Sequence, residues 1–96
     1  MKKYGIGLLP DKRKVKGKTP KERIKNYANR LDSKKDKKDF LILQKFIDKS
    51  LFDAAKIMFW DLDTAVRDTF YNIYTNNDKN KLASLQLINI FQIERL

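Results

Sequence analysis

The sequence predicts an all-α protein: a small bundle of three to four helices behind an extended basic N-terminal arm. Three observations lead there. Apolar residues recur at steps of three and four through most of residues 20–95, which is helical spacing. Gly5, Gly7 and Gly17, the only glycines, fall together with Pro10 in the first 18 residues, where they break any helix. The charge is also divided: residues 1–38 hold 15 Lys/Arg against 4 Asp/Glu (+11), whereas residues 39–96 hold 7 against 8 (−1), giving the total of +10. A polycationic first third therefore precedes a nearly neutral, apolar-rich remainder.

Residues 1–18 are expected to form the arm, because Lys12, Arg13, Lys14, Lys16 and Lys18 repel one another in a compact state. Tyr4, Ile6, Leu8 and Leu9 complicate a purely solvated tail and offer a way to pin its start to a core. Residues 19–96 form the helical domain, with helices expected over about 20–32, 36–49, 51–75 and 79–95.

The first helix has a strong start. Thr19 suits the N-cap, and Pro20 suits the first helical position, where its missing N–H costs nothing. Ile24, Tyr27, Ala28 and Leu31 make its buried side, leaving Lys21, Arg23, Lys25 and Arg30 for a basic outer face. The second helix buries Phe40, Leu43, Phe46 and Ile47; Ser33 or Asp36 caps it. Lys34, Lys35, Lys37 and Lys38 sit at its start, where the helix dipole disfavours cations unless anions or water screen them.

The third and longest segment, residues 51–75, reads as one central helix. Phe52, Phe59, Val66 and Ile73 share a seven-residue register, and Ser50 with Asp53 resembles a capping box. A second face carries Ile57, Trp60, Arg67, Tyr71 and Tyr74, a composition suited to a protein interface. TNNDKN ends the segment with turn formers, and Asp78 is the expected cap of a last helix that buries Leu82, Leu85, Ile88 and Phe91. Asn89 spoils an alternative strand reading of residues 85–93.

Residues 54–67, AAKIMFWDLDTAVR, resemble a helix-turn-helix in their small start, apolar turn and second helix from Asp63 or Thr64. That resemblance implies a break near Trp60 and Asp61, with Thr64, Arg67 and Tyr71 in a major groove. It departs from the motif in placing Phe59 where a turn glycine belongs and Asp63 and Asp68 toward phosphates.

Several classes of chemistry drop out. With no Cys and no His there is no zinc finger, no Cys–His pair and no Ser–His–Asp set. Asp61, Asp63 and Asp68 do not converge as a magnesium site on a continuous helix, and Gly5-Ile6-Gly7 lacks the strand and Lys-Ser/Thr of a phosphate loop. No catalytic residue, metal or cofactor and no small-molecule substrate is expected. No apolar run of about 18 residues is present, so no transmembrane helix is expected, and the arm lacks the amphipathic helix of a membrane-surface binder. The patch Ile6–Leu9 is too short for a secretory signal, which makes the expected compartment cytoplasmic.

What remains is binding. Lys12, Arg13, Lys14, Lys16, Lys18, Lys21, Lys25, Arg30, Lys34, Lys35, Lys37 and Lys38 match the footprint of a phosphate-backbone binder, with DNA or RNA as partner. A domain this small buries only about 60% of its unfolded surface, so a homodimer or larger protein complex is a reasonable source of further burial. The alternative function is a small protein-interaction module, an inhibitor or adaptor, using the aromatic face of the central helix. The wealth of Lys, Asn and Ile leans toward an AT-rich genome and so toward a viral or mobile-element setting.

Overall fold

The computed structural model describes residues 15–77 and 79–94. Five helices follow in order: α1 Pro20–Ala28, α2 Lys34–Asp48, α3 Phe52–Asp61, α4 Thr64–Thr75 and α5 Lys81–Phe91. All regular structure among the described residues is helical, as expected, but the number is five rather than three or four. The arm's residues 1–14, including Lys12, Arg13 and Lys14, lie outside the described residues.

The start of α1 is built as its sequence implies. Thr19 Oγ1 accepts the Glu22 N–H at 3.1 Å, and Pro20 occupies the first turn. Of the two candidate caps for α2, Ser33 takes the role, accepting the Asp36 N–H at 3.2 Å. The end of α2 overturns the expected role of Ser50. Its φ is +59°, its N–H donates to Ile47 O, and the Leu51 N–H donates to Phe46 O. This pair of bonds is a Schellman closure, so Ser50 ends α2 instead of capping the next helix. Leu51 occupies the N-cap position of α3 without a side-chain hydrogen bond.

The segment read as one central helix is two. α3 ends at Asp61, Leu62 and Asp63 are extended (ψ 152° and 146°), and α4 starts at Thr64. A continuous helix over residues 51–75 would be about 37 Å long. That exceeds the longest dimension of the described residues, 35 Å. The break lets α3 pack on α2 and α5 while α4 packs on α1 and α5.

Two aromatic groups fill the core. Tyr27, Phe40 and Phe70 from α1, α2 and α4 lie at centroid distances of 5.7 and 5.4 Å, with Tyr74 stacked on Phe70 at 5.9 Å. Phe59 of α3 and Phe91 of α5 stack at 3.9 Å. That stack, with Ala83 and Leu87, sets the rotation of α5. The expected buried face of this helix is therefore corrected: Leu82 is 81% exposed and Leu85 57% exposed. Asn80 caps α5, accepting the Ala83 N–H at 3.1 Å; the expected cap, Asp78, lies outside the described residues.

Candidate nucleic-acid interface

Arg23, read as part of an outer basic face, is instead buried. Its Nε–H donates to Ile73 O at 3.0 Å and its Nη2–H to Tyr74 O at 2.6 Å, two of the terminal carbonyls of α4. Its Nη1–H reaches Gly17 O at 3.4 Å. A cation at a helix C-terminus is favoured by the dipole; here it joins the Asn76 N–H on Ile73 O and takes up the terminal carbonyl of Tyr74. Burial lowers the Arg23 pKa from its ordinary value, with Tyr74 opposing, and a guanidinium stays charged regardless. No sequence signal marks this role beyond the position of Arg23 beside Ile24 and Tyr27.

The same clasp fixes residues 15–18 against α1. Asn26 Nδ2 donates to Lys16 O at 2.7 Å, and Gly17 adopts φ +149°. A Cβ at position 17 would lie 2.8 Å from Arg23 N, so only glycine lets the backbone approach this closely. Lys16 and Lys18, both exposed, are thereby held next to the start of α1.

α1 and α2 run antiparallel, as the Lys21–Asp48 ion pair at 3.1 Å shows. Between them lies a groove of about 300 Å³ lined by Lys21, Lys25, Asn29, Leu41, Gln44, Lys45 and Asp48. At 100° per residue, Lys34, Lys37, Lys38 and Lys45 fall on the same side of α2 as the groove residues Leu41 and Asp48. Lys21 and Lys25 form the opposite wall. Lys35 turns away and pairs with Asp39 at 2.8 Å, a contact that raises its pKa. Arg30, just past α1, is exposed. Lys45 belongs to the groove although only its place on α2, four residues after Leu41, hinted at it.

Asp53, Asp61, Asp63 and Asp68 are exposed on α3, α4 and the link between them. Burial, followed by the negative charges of Asp39 and Asp63, raises the Asp36 pKa despite the opposing charge of Lys35. Among the described residues no group of three acidic side chains is placed to hold a metal ion.

The five residues of the expected protein-binding face are divided by the helix break. Ile57 is 73% exposed on α3. Trp60, partly exposed, donates from Nε1 to Phe91 O at 2.7 Å, and the Arg67 guanidinium sits 4.7 Å above its ring. The pair ties α3, α4 and α5 together. Tyr71 is half-buried, whereas Tyr74 is 4% exposed with its hydroxyl donating to Gln86 Oε1 at 2.7 Å, so it offers no surface to a partner. The break does fall where the helix-turn-helix resemblance puts it. Yet α3 and α4 pack chiefly on other helices, and Asp61, Asp63 and Asp68 surround the link.

No family model matches this sequence, and no match was found to a curated protein or a solved structure. Among the described residues, no helix is long and apolar enough to cross a membrane.

Proposed function

We propose that this chain is a non-catalytic nucleic-acid-binding accessory protein that holds a phosphate backbone along the α1–α2 face. The supporting observation is the placement of Lys34, Lys37, Lys38 and Lys45 on one side of α2, across a groove from Lys21 and Lys25. Lys16 and Lys18 extend that charge at one end, and Lys12, Arg13 and Lys14 add to it in sequence. The exposed carboxylates Asp53, Asp61 and Asp68 lie on other elements, and Asp48, which lines the groove, is paired with Lys21.

Fluorescence anisotropy with labelled duplex DNA, single-stranded DNA and duplex RNA tests this reading at roughly 50 and 200 mM salt. Six to eight phosphate contacts predict a slope of log K against log salt of about −5 to −7 on duplex DNA. The double substitution Lys25→Glu/Lys45→Glu should weaken binding at least about tenfold with an unchanged melting temperature. Weak binding that vanishes equally for all three nucleic acids, with no effect of the double substitution, would make the charge incidental.

The exposure of Ile57, Leu82 and Leu85 favours a second reading, in which the outer faces of α3 and α5 dock a protein or a second copy. In an inhibitor or adaptor of this kind, Leu82→Glu/Leu85→Glu would abolish association in sedimentation measurements while leaving the helical spectrum intact.

A further inference from the structure

The outer side of α3 carries a surface unlike the cationic α1–α2 face. Asp53, Ile57, Trp60 and Asp61 recur at i, i+4, i+7 and i+8, so they share one stripe of that helix. All four are exposed, Ile57 by 73% and Trp60 by 44%. Asp63, also exposed, follows at the start of α4. Lys56 and Arg67 border the stripe, but both are engaged. Lys56 Nζ donates to Gln92 Oε1 at 2.6 Å, and the Arg67 guanidinium lies over the Trp60 ring. An apolar centre is thus flanked by three carboxylates.

The first 14 residues of the chain have the complementary chemistry. They hold Lys2, Lys3, Lys12, Arg13 and Lys14 against Asp11, a net charge of +4, together with Tyr4, Ile6, Leu8 and Leu9. Tyr4, Ile6 and Leu8 alternate with Gly5 and Gly7, so an extended backbone presents all three on one side. The other exposed apolar pair, Leu82 and Leu85 of α5, is a poorer match, because Lys79 and Lys81 flank it.

The position of Val15, the first described residue, also fits. Asn26 Nδ2 holds Lys16 O, so residues 18 to 15 run back along α1 from its start toward its end. That end leads into α2, whose Lys35 and Asp36 both feel the charge of Asp63. Arg23 ties the same region to Ile73 and Tyr74. From Ile73 to Thr64, at the other end of α4, the helix covers only about 14 Å. Leu9 and Ile6 stand six and nine residues before Val15, which gives reaches of about 20 and 30 Å.

We propose that residues 4–14 dock within the same molecule on the outer face of α3. Ile6, Leu8 and Leu9 cover Ile57 and Trp60, and Lys12, Arg13 and Lys14 lie beside Asp61 and Asp63. The contact stands independently of the nucleic-acid reading. Where both hold, a bound phosphate backbone competes with these carboxylates for the arm's cations.

Acrylamide quenching of Trp60, the single tryptophan, tests the contact in the full chain with no ligand added. Ile6→Ser/Leu8→Ser/Leu9→Ser should raise the quenching constant about twofold, since packed apolar contacts exclude solvent from the ring. Lys12→Glu/Arg13→Glu/Lys14→Glu should act in the same direction at low salt. Adding Asp61→Lys/Asp63→Lys to it should restore protection, because the charges are then exchanged. Leu82→Ser/Leu85→Ser should leave quenching unchanged. The substituted residues belong to the arm or are exposed, so melting curves should show each variant folded. Protection that grows with protein concentration would overturn the intramolecular contact in favour of the arm of a second copy. Equal quenching of the unaltered and arm-substituted proteins would overturn the docking itself. Neither result bears on the groove, which the anisotropy measurement decides separately.

Discussion

Single residues carry more of this fold than their types announce. Gly17 lies where a Cβ would strike the backbone of α1, and its carbonyl accepts from Arg23. Gly17→Ala should cost about 1–3 kcal/mol, read as a lower melting temperature, because both the contact and the positive φ oppose a side chain. Tyr74 gives a pH signature. Burial, reinforced by the charge of Asp48 and opposed by Arg23, pushes its phenol up to about 12 from the ordinary 10.0. Below pH 10 both folded and unfolded states hold the proton, so the contribution of Tyr74 is fully present there. Between pH 10 and 12 the unfolded state releases it first, and stability falls by up to about 2 kcal/mol. Tyr74→Phe should flatten that alkaline loss in denaturant titrations across the same window, at a small cost from the lost bond to Gln86. Neither role was legible beforehand. Tyr74 occupies a plausible surface position on a continuous helix, and an arginine between apolar neighbours reads as an outward charge.

At the scale of elements, the starts of α1 and α2 were legible, whereas the start of α3 and the closure of α2 were not. Thr19-Pro20 and Ser33 advertise helix starts through local side-chain chemistry, and the structure uses them as such. Helix ends here are closed by Ser50, Asn76 and Gln92 with φ of 59°, 55° and 53°, where only Asn is a customary choice. A serine in this conformation carries strain that glycine would not, so Ser50→Gly should stabilise by about 0.5–1 kcal/mol. Thermal unfolding should then rise by about 2–8 °C. The break at Leu62 was signalled only by the helix-turn-helix resemblance of residues 54–67, and the reading of one continuous helix missed it. No Pro or Gly marks it, and the seven-residue register of Phe52, Phe59, Val66 and Ile73 runs straight through. What ends α3 is tertiary: buried Leu62 and Phe59 pack in one place, and Val66 starts a new face against other helices. The face of α5 was misjudged similarly, because Leu82 and Leu85 fit a helical stripe as well as Ala83 and Leu87 do. The Phe59–Phe91 stack decides between them.

For the whole molecule, the all-helical class was written in the apolar spacing, and the asymmetry of charge in plain composition. The groove was not legible, because it requires α1 and α2 to lie antiparallel with Lys21 opposite Asp48. Lys45 enters the cationic face only through that pairing. Lys35 leaves it because its place on the helix directs it to Asp39. Charge number alone therefore overstates what Lys35 contributes. Lys35→Ala should shift nucleic-acid affinity less than Lys38→Ala when both are measured at the same salt, an expected difference of about threefold.

The Arg23 clasp also sets an order of events in time. Its carbonyl partners, Ile73 and Tyr74, lie 50 and 51 residues away along the chain, so they come within reach only after α4 has formed and met α1. Closing the bonds from Arg23 to α4 is thus expected late in folding. Substitutions there should accelerate unfolding while leaving the refolding rate nearly untouched, and the amide protons they govern should exchange by local opening before the core does.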